Sequence, residues 1–258
     1  MEKRKWRKPK LINIKYVLAI IIAVVFAGFF IYNVSGAFSH LFDGRRARIN
    51  SGIAQEMFYS AVNSYQLSDI SYAQLLWEAR EATNNPDVVG FVTIGGTRIG
   101  DMIVLGEDNE FYLTHNAYGA RNANGALFMD YRNSPRFDNP NTIIYGHNMR
   151  NGSMFHDLRH FMHQDFFDRH REIVVVSGFE VLRYEIFAAF ATSTDFYYIQ
   201  VHFEREAEFE SLLAEIKMRS IVCSDIQVYT NDRILILSTC TNHREDTRFV
   251  VVGRLIEH

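Results

Sequence analysis

From Val88 to the C-terminus the chain is cut into short β-branched and aromatic runs separated by turn residues, a texture that leaves few folds open. Strand-length runs fall at residues 89–94, 102–105, 111–114, 126–131, 142–145, 173–176, 183–192, 226–229, 233–239 and 249–256, divided by pieces such as Gly95-Gly96 and Gly106-Glu-Asp-Asn109. Many short strands with frequent turns predict a β-barrel or a sandwich. Two stretches interrupt this texture with helical spacing. One is 153–163; the other, 204–219, sets Phe209, Leu212, Leu213 and Ile216 on one face. The second lies between two strands, as an insertion able to wall a substrate groove.

The preceding residues are built differently. Residues 53–83 have helix-forming composition, with Tyr72, Leu75, Leu76 and Ala79 at helical spacing and Asn84-Asn-Pro86 as a stop. Residues 39–50 are polar and Arg-rich, which reads as a short tether. Further back, Lys3, Arg4, Lys5, Arg7, Lys8 and Lys10 precede an apolar stretch, 16–34, broken only by Asn33. A bilayer core needs roughly 20 apolar residues, whereas the apolar part of a cleaved leader runs roughly 7–15. Val34-Ser-Gly-Ala37 would serve as a leader's cleavage site, but length and flanking charge favour an uncleaved transmembrane anchor. The basic cluster then stays in the cytoplasm, Lys15 snorkels to the headgroups, and the chain after about residue 38 is extracellular. The expected organisation is a cytoplasmic basic segment, 1–15; a signal anchor, 16–38; a tether with N-terminal helices, 39–84; and a β-domain, 85–258.

Charge excludes one class of partner. Residues 1–15 hold seven of the 27 Lys and Arg and one of the 30 Asp and Glu, which leaves 20 bases against 29 acids and a formal charge of −9 beyond them. An exported domain that acidic is a poor fit for nucleic acid. At 258 residues, 48% of them hydrophobic, the chain buries one good-sized core. Such a domain folds without a staple, so its two cysteines, Cys223 and Cys240, are expected as thiols; a Cys223–Cys240 disulfide is the alternative for an exported protein.

Residues 233–239 are apolar without alternation, as in a strand buried on both faces, and Cys240 ends that run. Seven polar residues lead to the next strand, which begins near Arg248. If the two strands form an antiparallel hairpin, Cys240 and Arg248 face each other across its mouth. His147 ends another apolar strand, just after Gly146, whose missing side chain permits close approach of backbone or ligand. A histidine base, a cysteine nucleophile and an arginine to stabilise charge equip a protein for acyl transfer through a thioester. Ser238, Thr239 and Asn148 are candidates to line the substrate groove, and Asp246 to orient His or Arg, although a solvated loop acid reads equally well. His115 and His243 are rival bases. His156, His160 and His163 recur at helical spacing and could bind zinc, yet no acidic or cysteine partner is near in sequence, so a wet helix face is preferred. The chemistry requires no metal and no cofactor.

These motifs resemble those of the sortases, specifically class B. Leu237-Ser-Thr-Cys240 is similar to the family's Thr-Leu-x-Thr-Cys signature, with Ile236 where the first Thr usually stands. Tyr145-Gly-His-Asn-Met149 followed by Gly152-Ser-Met-Phe155 resembles the class B histidine motif, and Arg248 has the family's spacing from the cysteine. Asp108-Asn109, Tyr112-Leu-Thr-His115 and Phe128-Met-Asp-Tyr-Arg132 also resemble class B sequence, while Gly100-Asp-Met-Ile-Val-Leu105 lacks the Pro-Val and Gln common there. The resemblance implies a mainly β fold: a closed eight-stranded barrel with N-terminal helices and a helix between strands six and seven, preceded by one transmembrane helix. It implies a membrane-anchored cysteine transpeptidase of a Gram-positive surface. Cys240 would attack the Thr carbonyl of a Pro-x-Thr type sorting signal in secreted proteins, and a peptidoglycan cross-bridge amine, or a pilin lysine in a pilin-polymerising relative, would resolve the thioester. An ordinary hydrolytic cysteine protease is the nearer alternative. A noncatalytic anchored β-domain binding surface polymers or haem-related partners, with Cys223 and Cys240 paired, is the more distant one.

Overall fold

In a computed structural model the described residues are 25–30, 72–193, 195–240 and 247–256. The chain divides into two compact units, 1–42 and 43–258. In the first, residues 25–30 are helical. The rest of the expected span 16–38, the expected tether and the part of the expected helical stretch before Tyr72 lie outside the described residues, as do His243 and Asp246. Among the described residues no helix is long and apolar enough to cross a membrane.

In the second unit, helix α1 (Tyr72–Thr83) leads into strands β1 (Val88–Ile94), β2 (Gly100–Val104), β3 (Leu127–Met129) and β4 (Asn141–His147). Helix α2 (Gln164–Arg169) follows, then β5 (Glu172–Ser177), β6 (Val181–Ser193), helix α3 (Glu206–Arg219), β7 (Ile234–Cys240) and β8 (Thr247–Leu255). The strands close into a barrel in the order β1-β2-β3-β4-β7-β8-β6-β5. β2–β3 and β4–β7 are parallel pairs and the rest antiparallel. Parallel neighbours need a long crossover. The chain between β4 and β7 contains β5, β6 and all of α2 and α3, so residues nearly a hundred positions apart become neighbours.

β7 shows why its sequence lacks alternation. Leu235 and Leu237 join Ile103, Leu127, Ile144 and Val251 in one core cluster, while Ile234 and Ile236 belong to a second with Val250 and Val252. Phe209, Leu212, Leu213 and Ile216 of α3 complete the second cluster. The helix expected between strands six and seven is therefore packed on the barrel wall. α1 covers another face, with Leu75 and Ala79 against Val88, Phe91 and Val104.

Two expected strands are absent from the ladders. Residues 226–229 keep strand-like burial, with Ile226 and Val228 inward, but closure leaves no free barrel edge to pair with. Residues 111–113 form a 3₁₀ turn because the Asp108 carboxylate accepts from the N–H groups of Glu110 and Phe111 and curls the chain. The expected helix at 153–163 is a 3₁₀ helix, Phe155–Met162, running into α2.

Candidate active site

β4 and β7 run parallel through seven matched pairs, from Asn141 with Ile234 to His147 with Cys240. The histidine and the cysteine are thus backbone partners at the same barrel end, on strands roughly 4.8 Å apart. β7 and β8 are antiparallel as expected, and their ladder runs to Ser238 with Val250. Two residues beyond, the same register sets Cys240 opposite Arg248. Between these pairs the hydroxyl of Thr239 accepts the Phe249 N–H at 2.9 Å. Arg248 also lies beside Thr192 of β6. Three adjacent strands thus bring His147, Cys240 and Arg248 to one rim.

The environment of His147 fixes its chemistry. Its Nε2 is 2.8 Å from the Leu113 carbonyl oxygen. A carbonyl only accepts, so Nε2 carries the proton and the neutral ring holds its lone pair at Nδ1. Nδ1 is buried and has no hydrogen-bond partner among the described residues. Gly125 makes room for this contact. It has φ +61°, and a Cβ there would stand 2.5 Å from the Tyr112 oxygen, 2.9 Å from the Leu113 oxygen and 3.1 Å from Cδ2 of His147. Gly146 also serves close approach, but to the core: a Cβ would overlap Leu127 and Phe155, so its role is packing beneath the histidine.

Next to this rim lies a buried polar network. Asp130 is fully buried and accepts from Nε, Nη2 and the backbone N–H of Arg132, from Asn109 and from the Tyr145 hydroxyl. Burial alone would raise its pKa, but the Arg132 guanidinium holds it below the usual carboxylate range. Arg132 reaches on to the Tyr197 hydroxyl and the Ile199 carbonyl, tying the segment after β6 to the connection between β3 and β4. Burial, followed by the Asp130 charge, pushes the Tyr145 phenol well above its ordinary value, so it stays a neutral donor.

The other candidates fall as follows. Ser238 is fully buried, its Oγ 2.7 Å from the Tyr198 hydroxyl, and Thr239 is buried with its hydroxyl on Phe249. Asn148 is half-buried and pairs with Met154 in a tight turn after His147. His115 lies on the turn after Leu113, stacked on Phe111 with Nδ1 2.8 Å from the Phe111 carbonyl, and shares no strand with the cysteine. His156, His160 and His163 do not share a wet face. The 3₁₀ helix has three residues per turn, which separates i and i+4 by about 120°, and His156 is buried while His163 is exposed. Cys223 is a free, exposed thiol whose backbone is held by Gln164, which removes the Cys223–Cys240 disulfide of the binding-module alternative. Leu113, Gly125 and the Asp130–Arg132 pair have no role legible in sequence, because a backbone carbonyl and a glycine carry no chemical signature until the fold sets them against an imidazole.

Fold and rim together define a thiol enzyme on a closed, mixed β-barrel. The family model of the sortase domain matches residues 98–256. The chain belongs to the sortase family, class B, whose members are cysteine transpeptidases. It is 42% identical to sortase B of Listeria monocytogenes over 174 residues, 67% of this chain and 71% of that one. With sortase B of Staphylococcus aureus it is 28% identical over 253 residues, 97% and 99% of the two chains. The structure of a Staphylococcus aureus sortase B–substrate complex superposes with TM-score 0.76 at 29% identity, covering 84% of this chain and 99% of that one.

Proposed function

We propose that this protein is a membrane-anchored transpeptidase in which the Cys240 thiolate attacks the Thr carbonyl of a Pro-x-Thr type sorting signal. The register that pairs His147 with Cys240 at one barrel end carries this reading. An unperturbed thiol has a pKa of roughly 8.5, so a neighbouring base is needed near neutral pH. With Nε2 committed to Leu113, Nδ1 of His147 is the nitrogen left to accept the thiol proton. Attack forms the S–C bond, and the oxyanion develops beside Arg248. Collapse breaks the peptide C–N bond after Thr, with the imidazolium returning its proton to the leaving amine. The thioester then waits for an acceptor amine, which gives a proton to His147 and displaces the thiolate.

A sortase B structure complexed with triglycine, similar to this chain with TM-score 0.74 and 30% identity, supports a peptide amine of the cross-bridge kind as acceptor in preference to a pilin lysine. Anchoring by residues 16–38, with the N-terminus cytoplasmic and the barrel outside, rests on the apolar run and its basic flank. Asn148, Ser238, Thr239 and Asp246 are proposed near the bound signal, the two hydroxyls acting through the strand they brace.

The test is the intact mass of the full chain mixed with a panel of sorting-signal peptides, with Cys240→Ala as control. A peptide-sized adduct on the unaltered chain alone, discharged by added triglycine, is expected. Turnover by Cys240→Ala would sink the mechanism, and discharge at equal rate without amine would make the enzyme a hydrolase.

A further inference from the structure

The side chain of Tyr112 combines packing with placement, because its ring belongs to the buried cluster of Val88, Phe91 and Val104. It is 1% exposed, yet its hydroxyl donates to Oδ2 of Asp87 at 2.7 Å and accepts from Nδ2 of Asn85 at 2.9 Å. Asn85 is itself fixed, donating to the Ala117 carbonyl and accepting from the Asp87 N–H. A phenylalanine would fill the same volume without drawing a hydroxyl and a carboxylate together in a part-buried site. Both partners lie between α1 and β1, so the bonds tie the 3₁₀ turn Phe111–Leu113 to the body of the domain. The Tyr112 carbonyl accepts from Ala126 N–H, and the ring lies against Gly106. One residue further on is the Leu113 carbonyl that meets His147.

We propose that Tyr112 is a positioning residue for His147: its doubly bonded hydroxyl holds the turn where the Leu113 carbonyl keeps the imidazole proton on Nε2 and the lone pair on Nδ1. This rests on the reading of His147 as the general base. Without the hydroxyl the turn keeps its backbone bonds, the Asp108 carboxylate and the packing of the ring, but loses its tie to the residues between α1 and β1, so the carbonyl shifts and the imidazole samples both tautomers. The tautomer protonated at Nδ1 cannot take the thiol proton from that nitrogen.

The experiment uses the full chain labelled with ¹⁵N-histidine. Long-range ¹H–¹⁵N spectra, recorded where the ring is neutral, report the His147 tautomer. kcat, KM and the pH profile of kcat are measured with a sorting-signal peptide and triglycine. The unaltered chain is expected to show the Nε2–H form. Tyr112→Phe is expected to show a mixture, with kcat down about tenfold, KM unchanged and the basic limb of the profile displaced. A folded Tyr112→Phe with the original tautomer and kcat overturns the proposal. Should that variant fail to fold, Asp87→Ala, which removes only the acceptor, is read for the same quantities and decides in the same way. His147→Asn separates the two claims. If it retains turnover the base assignment fails; if it is inactive while Tyr112→Phe is normal, only the positioning role fails.

Discussion

Replacing Gly125 with alanine tests the geometry around His147, the proposed base, with a single methyl group. The backbone is left-handed there, which costs an L-residue roughly 1–2 kcal/mol. The methyl would sit 2.5 Å and 2.9 Å from the Tyr112 and Leu113 oxygens, both of them backbone atoms. Carbon and oxygen belong about 3.3 Å or more apart, so the carbonyls have to retreat by roughly 0.4–0.8 Å. Overpacking of this kind costs roughly 1–3 kcal/mol. Together the two effects remove about 2–5 kcal/mol, and at ~2–4 °C per kcal/mol for a domain of this size the melting midpoint should fall by roughly 4–20 °C. The 2.8 Å bond from His147 to Leu113 stretches to the limit of a hydrogen bond. Losing most of a bond worth ~1 kcal/mol predicts a kcat about fivefold lower among the molecules that remain folded. Circular dichroism melts through the transition, and transpeptidation of a fluorescent sorting-signal peptide below the new midpoint, measure the two effects. Unchanged midpoint and kcat together would refute the packing of Leu113, Gly125 and His147 described above.

Asp130→Ala strips the partner from Arg132 and is expected to lower stability by about 3–5 kcal/mol; a urea midpoint near that of the unaltered chain would contradict the burial of this pair. Burial favours the protonated forms of Asp130 and Asp157, but hydrogen bonds from Arg132 and Arg98 outweigh it and hold both pKa values below the usual range. A depressed carboxylate contributes stability that is present above its unfolded pKa of about 4 and lost as pH falls further through its folded one. The urea midpoint should therefore be level at neutral pH and drop below about pH 4, with a shallower drop in Asp130→Asn; a midpoint that rises in acid contradicts this sign. Phe155 is fully buried beneath Gly146, and Phe155→Ala should cost about 3–5 kcal/mol by cavity formation, read from the same urea titration. A loss below ~1 kcal/mol would mean the site collapses around the void.

Much of the molecule can be read from local chemistry. Unbroken apolar residues in β7 mark burial on both faces, and α3 repeats its apolar residues at helical spacing. His147, Cys240 and Arg248 stand at strand ends with the wording of a known family around them. Where local signals mislead, a competing interaction is responsible: the Asp108 carboxylate turns 111–113 away from strand, and barrel closure denies 226–229 a neighbour.

The sequence by itself determined the β texture, the inserted helix and the acidic balance of the residues after 15, and it marked Cys240 as the candidate nucleophile, because each signal is encoded within a few neighbouring residues. Only the tertiary structure decided that β4 and β7 pair in parallel with His147 beside Cys240. It also decided that Leu113 offers its carbonyl to the imidazole, and that Asp130 joins Arg132 and Tyr145 next to the rim. Strand register and backbone carbonyl contacts between distant segments depend on closing the barrel as a whole. No window along the chain contains that information.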